Sequence, residues 1–301
     1  MQAVRSRKML DFRVKLARTE RNFKENAQRL LDIFLPDTYK KIQKFSPNVK
    51  FEIDKGEFLI KTAQTPAELE MALCLRHEVF YEELLSRSQK KALDVDKFDF
   101  ICDHLLVMDK ASGQCIGTYR FNSSLYSKKF YSSTEFKMKK IKELPGNKLE
   151  LGRACIHKDF RNGITISLLW AGISEYCKAT GTKYMFGCSS IKTTDFYQIV
   201  SVHKYLSDNF DSGKALRVKP RKKFKVKNLK KHLYFFSKVD SAYKPGLARK
   251  LVPSLLKSYL KTGAVICGEP ALDMDFKCVD FLTLLDIEKI NATVNKKFDV
   301  Q

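Results

Sequence analysis

Residues 148–191 constrain the fold more than any other stretch. They read KLELGRACI, HKDFRNG, ITISLLWAGISEYCKATGT and KYMFGCSSI in unbroken succession. Two β-patterned apolar runs joined by a long helical pattern specify a strand–turn–helix–strand unit with a right-handed crossover. The first run carries two charges, Glu150 and Arg153. Strict alternation puts residues three apart on opposite faces, unless a bulge between them turns both inward. Charges in a central strand are costly unless paired or used, so this pair marks a candidate site. The turn Arg161-Asn162-Gly163 opens the helix, where backbone N–H groups and the positive helix end can face an anion.

The chain's 301 residues allow one large domain or two. A hydrophobic share of 44% supports a real core. No window reaches the roughly 18 apolar residues a spanning helix needs. The N-terminus is basic without an apolar core, so it does not read as a signal peptide. Eight cysteines are scattered singly with no CxxC, as in a reduced, cytosolic protein. The five histidines do not join them at zinc-ligand spacing, and no metal is expected. The net charge of +22 implies an acidic partner: nucleic acid, an anionic membrane surface or an acidic carrier protein.

Residues 1–50 form a basic, helix-prone extension, either packed on the domain or lying on anionic lipid. Residues 51–301 make the main domain, beginning with a short strand in 51–61. Thr65-Pro66-Ala67-Glu68 is a capping box for a helix to about residue 85. Arg76 and Phe80, four apart, share one face of it. The loop 86–103 gathers Asp94, Asp96, Asp99 and Asp103, able to hold a cation or a substrate ammonium, or simply solvated. Residues 104–109 and 115–121 read as a hairpin, the second strand ending near Arg120. A helix and loop are expected in 122–145, and a helix over 194–205. Residues 214–250 hold 14 Lys or Arg against one acid, interleaved with aromatics. That composition fits a nucleic-acid surface or a half-buried strand with a basic rim. No nucleic-acid-binding motif supports the former, so no nucleic-acid partner is expected. An amphipathic helix at 251–261, strands at 264–267 and 278–285, and a last helix at 286–294 complete the chain.

The ordered series LRHEVFYEE, DVDKFDFICDHLLVMD, GTYRF, LELGRACI and FGCSS, with LLKSYLKTGAVICGEPALDMDF and DFLTLLD behind it, resembles one family. It is similar to the GNAT-type L-ornithine Nα-acyltransferases of bacterial ornithine-lipid synthesis, over about residues 61–290. A more distant resemblance is to acyl-homoserine-lactone synthases. Their Arg, Phe, Asp-x-x-Asp, Arg and Glu-x-x-Arg pattern is met in order by Arg76, Phe80, Asp96 with Asp99, Arg120, and Glu150 with Arg153. Their tryptophan is absent here, since Trp170 lies in the central helix. The resemblance implies an α/β (α+β) fold: a mixed GNAT-like central sheet flanked by helices, splayed to hold an acyl-pantetheine thioester.

GNAT enzymes that use coenzyme A carry a Gln/Arg-x-x-Gly-x-Gly/Ala turn. Here Arg161 to Thr165 offers one glycine, Gly163. The donor implied is therefore an acyl carrier protein bearing a phosphopantetheine thioester, with acyl-CoA less favoured and no bound cofactor. The acceptor implied is ornithine or a related amino acid, in the bacterial cytoplasm or peripherally on the inner face of the membrane. In this scheme Glu150 is the base and Arg153 orients it or meets the pantetheine. Backbone amides at Ala154, Cys155 and Ile156, with Arg161 and Gly163, serve the donor. Asp96, Asp99 and Asp103 hold the ammonium of the amino acid, with Phe80 beside it, and Arg76 or Arg120 its carboxylate. Alternatively these charges form one structural network that locks the loop onto the sheet. The competing function, from another class, is a non-catalytic basic protein that binds lipid or nucleic acid.

Overall fold

In the computed structural model, residues 36–86, 93–238 and 243–290 are described. The chain divides into two compact units, Met1–Phe45 and Ser46–Gln301. In the first, the described part is a short helix, Asp37–Gln43; the expected helix N-terminal to it lies outside the described residues.

The second unit is built on one nine-stranded mixed sheet. Its strands are β1 Glu52–Lys55, β2 Phe58–Thr62, β3 Asp103–Asp109, β4 Cys115–Ser123, β5 Asn147–Ile156, β6 Thr182–Ile191, β7 Val265–Ile266, β8 Ala271–Asp273 and β9 Cys278–Asp286. The order is β1-β2-β3-β4-β5-β6-β9-β7, with β8 on β9. Among the described strands only β5 and β6 run parallel, as the strand–helix–strand pattern requires, because helix α2 (Gly163–Thr180) carries the chain across. Asn162 caps α2 by accepting the Thr165 N–H, and Gly181 ends it at φ +55°. A Cβ at Gly172 would lie 2.4 Å from Leu105, so α2 sits hard on the sheet. The core beneath it includes Ile60, Leu105, Tyr119, Trp170 and Tyr176.

Helix α1 (Pro66–His77) lies on the other face, against β3–β5. Both arms of its capping box form: Thr65 accepts the Glu68 N–H and Glu68 accepts the Thr65 N–H. Beyond His77 the helix widens to a π-helix, Glu78–Leu84, a geometry that often marks functional segments. A third group, α3 (Phe196–Phe210), α4 (Leu229–Lys238), α5 (Pro245–Leu251) and α6 (Ser254–Lys261), covers the β9 end around Val200, Leu206 and Phe281.

Three expectations are corrected. Residues 122–145 form only two single helical turns, Ser132–Glu135 and Lys139–Lys142, for the stretch is rich in serine and ends at Pro145. The basic region is no strand: its longest regular element is α4, which buries Leu229 and Phe236 and exposes Tyr234 and Phe235. A helix period of apolar residues outweighed the aromatic composition. Pro253 delays α6 to Ser254, since it cannot donate within a helix. Of the expected last helix, only a 3-10 turn, Ile287–Lys289, and Ile290 are described. Among the described residues no helix is long and apolar enough to cross a membrane.

Candidate active site

β5 and β6 pair only from Asn147 to Glu150, which faces Phe186. Past that point β6 continues alongside β9, while β5 keeps β4 as its sole strand neighbour. The strands part where Gly187 passes the Leu151 carbonyl; a Cβ there would lie 2.2 Å from that oxygen. A cavity of about 430 Å³ occupies the splay.

The register places the charges. Arg120 pairs with Gly152 and Thr118 with Cys155, so Tyr119 opposes two β5 residues, Arg153 and Ala154. This is a β-bulge, the condition under which Glu150 and Arg153 can share a face. Arg153 sits at φ +51°, a left-handed conformation costing a residue with a side chain about 1–2 kcal/mol. The bulge brings Glu150 and Arg153 to the same cavity.

The cavity reaches both faces of the sheet through the gap. One face contributes Tyr119, Leu151, Met185, Leu285 and, from α6, Leu255 and Tyr259. The other contributes Arg120, Asn122, Glu150, Arg153, Glu135 and Asp280. One end is apolar and the other charged.

Glu150 anchors the turn Ser132–Glu135. Its Oε2 accepts the Tyr131 N–H at 2.8 Å and its Oε1 the Ser132 N–H at 2.7 Å, with the Asn122 amide at 3.3 Å. Arg153 stacks among rings, its guanidinium carbon 4.9 Å from the Phe276 centroid, 5.2 Å from Tyr131 and 6.0 Å from Phe80. Phe80, from the π-helix, lines the cavity as expected of a site residue.

Asp94, Asp96 and Asp99 are paired with arginines rather than simply solvated. Arg76 donates to Asp94 at 2.7 Å and as a fork to Asp99 at 2.7 and 3.2 Å. Arg120 bridges Asp96 and Asp99 at 2.8 and 2.9 Å. Arg153 reaches Asp94 and Asp96 at 3.4 and 3.3 Å. Burial alone would raise the Asp99 carboxyl, but Arg76 and Arg120 outweigh it and hold it well below the usual range. Side-chain exposure is 0% for Arg76, 4% for Arg120 and 14% for Arg153. The alternative of a structural network therefore describes Arg76, Asp94 and Asp99, whose polar atoms are committed to one another. Asp103 is also corrected. Its carboxylate accepts the Asn48 N–H and the Tyr176 hydroxyl, each at 2.7 Å, away from the cavity.

The donor residues separate similarly. Ala154 lines the cavity; Cys155 and Ile156 do not, and burial raises the Cys155 thiol well above its usual range. Arg161 bonds Glu83 at 2.5 Å and the Ile156 carbonyl at 3.0 Å, tying the π-helix to the end of β5. Gly163 opens α2 in open space, where a Cβ would meet nothing. Burial also lifts the Cys188 thiol, so it is no ready nucleophile.

Sequence reasoning missed three cavity acids: Glu135, Asp273 and Asp280. Their carboxylates come from a helical turn, β8 and β9. Burial and Asp280 push Glu135 up to about 8, and burial foremost pushes Asp280 to about 6. Asp280 carried the same signal as Glu150, a charge inside the apolar run CVDFLTLL.

Residues 75–171 match the acetyltransferase (GNAT) domain family. The L-ornithine N(alpha)-acyltransferase of Brucella abortus is 32% identical over 255 residues, covering 79% of this chain and 87% of that protein. Its counterpart in Rhizobium meliloti is 30% identical over 248 residues, covering 77% and 81%. Among solved structures, a CoA-dependent acyl-homoserine lactone synthase is similar at TM-score 0.42 and 14% identity, covering 77% of this chain and 83% of that one. An N-acyl amino acid synthase from uncultured soil microbes is similar at TM-score 0.43 and 8% identity, covering 78% and 94%.

Proposed function

The chain belongs to the L-ornithine Nα-acyltransferase family, and from that premise we propose that it transfers a fatty acyl group from a thioester to the α-amine of ornithine. The observation that carries this reading is the two-ended cavity in the splay of β5 and β6. Its apolar end suits an acyl chain and its charged end an amino acid. The thioester carbonyl lies along the open edge of β5 near Gly152 to Ala154, where backbone N–H groups receive the oxyanion. The neutral amine nitrogen forms the amide bond, the C–S bond breaks, and the amine proton passes by way of a base to the thiolate.

Glu150 is the base in this reading. It lines the cavity, and its Oε1, which among the described residues accepts only the Ser132 N–H, retains a lone pair, while Oε2 takes both Tyr131 and Asn122. Arg153, the most exposed of the three arginines, holds the acceptor carboxylate, which a guanidinium can grip by two bonds. Arg120 and Asp96 hold Arg153 and the loop in place. The donor is an acyl carrier protein carrying a 3-hydroxyacyl group. Support comes from the +22 charge and the single glycine at Arg161 to Thr165. The same charge favours attachment to an anionic membrane surface on the cytoplasmic side.

Thiol release from matched acyl-carrier-protein and acyl-CoA thioesters, with and without ornithine, tests this. Ornithine-dependent release, faster with the carrier protein, is expected. Release that ignores ornithine sinks the transferase reading, and faster release from acyl-CoA sinks the donor assignment.

A further inference from the structure

Glu135, Asp273 and Asp280 are 1%, 5% and 3% exposed. One oxygen from each lies within 4.8 Å of the others. All three line the same cavity as Glu150 and Arg153. The partners they have are neutral. Asp273 accepts the Asp275 and Phe276 N–H groups at 2.8 and 3.1 Å. Asp280 accepts the Ser190 hydroxyl and, at 3.6 Å, the Cys278 thiol. Glu135 Oε2 takes the Cys188 thiol at 3.6 Å, and Glu135 Oε1 is buried with no hydrogen-bond partner.

Among the described residues no Lys, Arg or His forms an ion pair with any of the three. The chain has 56 Lys and Arg against 34 acids, yet among the described residues no cation pairs with this cluster. Three buried carboxylates without a counter-ion are strongly destabilising. Burial and the neighbouring carboxylates push both Glu135 and Asp280 up, which eases the repulsion while no cation is bound. A cationic ligand would supply the missing positive charge.

Resting on the acyl-transfer reading of this cavity, we propose that Glu135, Asp273 and Asp280 seat the side-chain ammonium of the acceptor and so select a diamino acid. An ammonium has three N–H donors and no acceptor. Bonds of about 2.8 Å in tetrahedral directions put its acceptors roughly 4.6 Å apart, inside the 4.8 Å limit that holds these three oxygens. With the δ-ammonium held by the acids and the carboxylate by Arg153, the α-amine is the nitrogen left free to attack.

The experiment compares ornithine with norvaline, which has the same carbon chain and no δ-amine. The wild type is expected to favour ornithine in kcat/KM by roughly 100-fold or more, because norvaline leaves the carboxylates unpaired. Glu135→Gln and Asp280→Asn, each confirmed folded by its melting profile, should collapse that ratio mainly through ornithine. Comparable use of both amino acids by the wild type, or an unchanged ratio in both variants, overturns the proposal. Calorimetric binding of each amino acid to the wild type reads the pocket without turnover. Ornithine bound and norvaline not, with no acyl transfer, keeps the pocket and sinks the transferase reading. Equal binding of the two, or binding of neither, sinks the pocket. So does a stoichiometric divalent metal whose removal abolishes ornithine binding.

Discussion

Replacing Arg76 with Met keeps most of the side-chain volume and removes four charged contacts, two with Asp94 and two with Asp99. Asp99 keeps Arg120 at 2.9 Å, while Asp94 keeps only the Arg153 Nε at 3.4 Å. Deleting one partner of a buried ion pair costs about 3–5 kcal/mol. The surviving partners put Arg76→Met at the low end, about 3 kcal/mol. In a domain of this size that lowers Tm by about 6–12 °C. The pH dependence has a definite sign. Asp99 is held well below its ordinary range, because Arg76 and Arg120 outweigh burial. A lowered folded pKa contributes stability above the unfolded value, near 4, and loses it as pH falls further. The Tm gap between wild type and variant, followed by circular dichroism, is therefore full at pH 7 and narrows below about pH 4. A gap under about 2 °C at pH 7 would refute the clamp. Lost turnover at unchanged Tm would return Arg76 to substrate binding.

Arg153→Gly removes left-handed strain of about 1–2 kcal/mol along with the guanidinium. It should leave Tm within a few degrees and lower kcat/KM by roughly 100-fold, read by steady-state kinetics. Glu150→Gln sets an amide N–H against one of the two backbone donors, Tyr131 or Ser132, costing about 1–3 kcal/mol. Its residual kcat should lose the acid limb of the wild-type pH profile; an unaltered limb would make Glu150 a positioning residue. Burial foremost, and then Asp280 among its neighbours Asp273, Tyr131 and Cys188, pushes the folded Glu135 carboxyl up to about 8. Its folded pKa is raised, so wild-type stability falls as pH rises from about 4.5 to 8. Glu135→Gln should therefore match the wild type in Tm near pH 4 and exceed it increasingly toward pH 8.

The parallel β5–α2–β6 unit was legible because its pattern is local: two apolar strands, a capped helix and a glycine end. The bulge was legible as a condition, since only a bulge turns both Glu150 and Arg153 toward one cavity. Partnership was not legible. Asp96, Asp99 and Asp103 look alike in sequence. Tertiary contacts send Asp99 to Arg76 and Arg120, Asp103 to Tyr176 and Asn48, and Asp96 to Arg120 and Arg153. The acid cluster was hidden for a related reason. Glu135 lies 138 positions before Asp273 and 145 before Asp280; Glu135 and Asp273 alone read as solvated or turn residues, and only Asp280 sits inside an apolar run. Sheet register brings Asp280 opposite Ser190 and beside β8, and the turn anchored by Glu150 delivers Glu135. The basic region misled because aromatic and charged residues suit a strand edge as well as the helix α4.

The central claim is regiospecific acyl transfer to an amino-acid amine in the β5–β6 splay. Mass spectrometry of the product formed by purified protein, an acyl thioester and ornithine tests it most directly. The account predicts one amide per thiol released, on the α-nitrogen, with the δ-amine free. Thiol release giving only free fatty acid, or acylation of the δ-nitrogen, would contradict it.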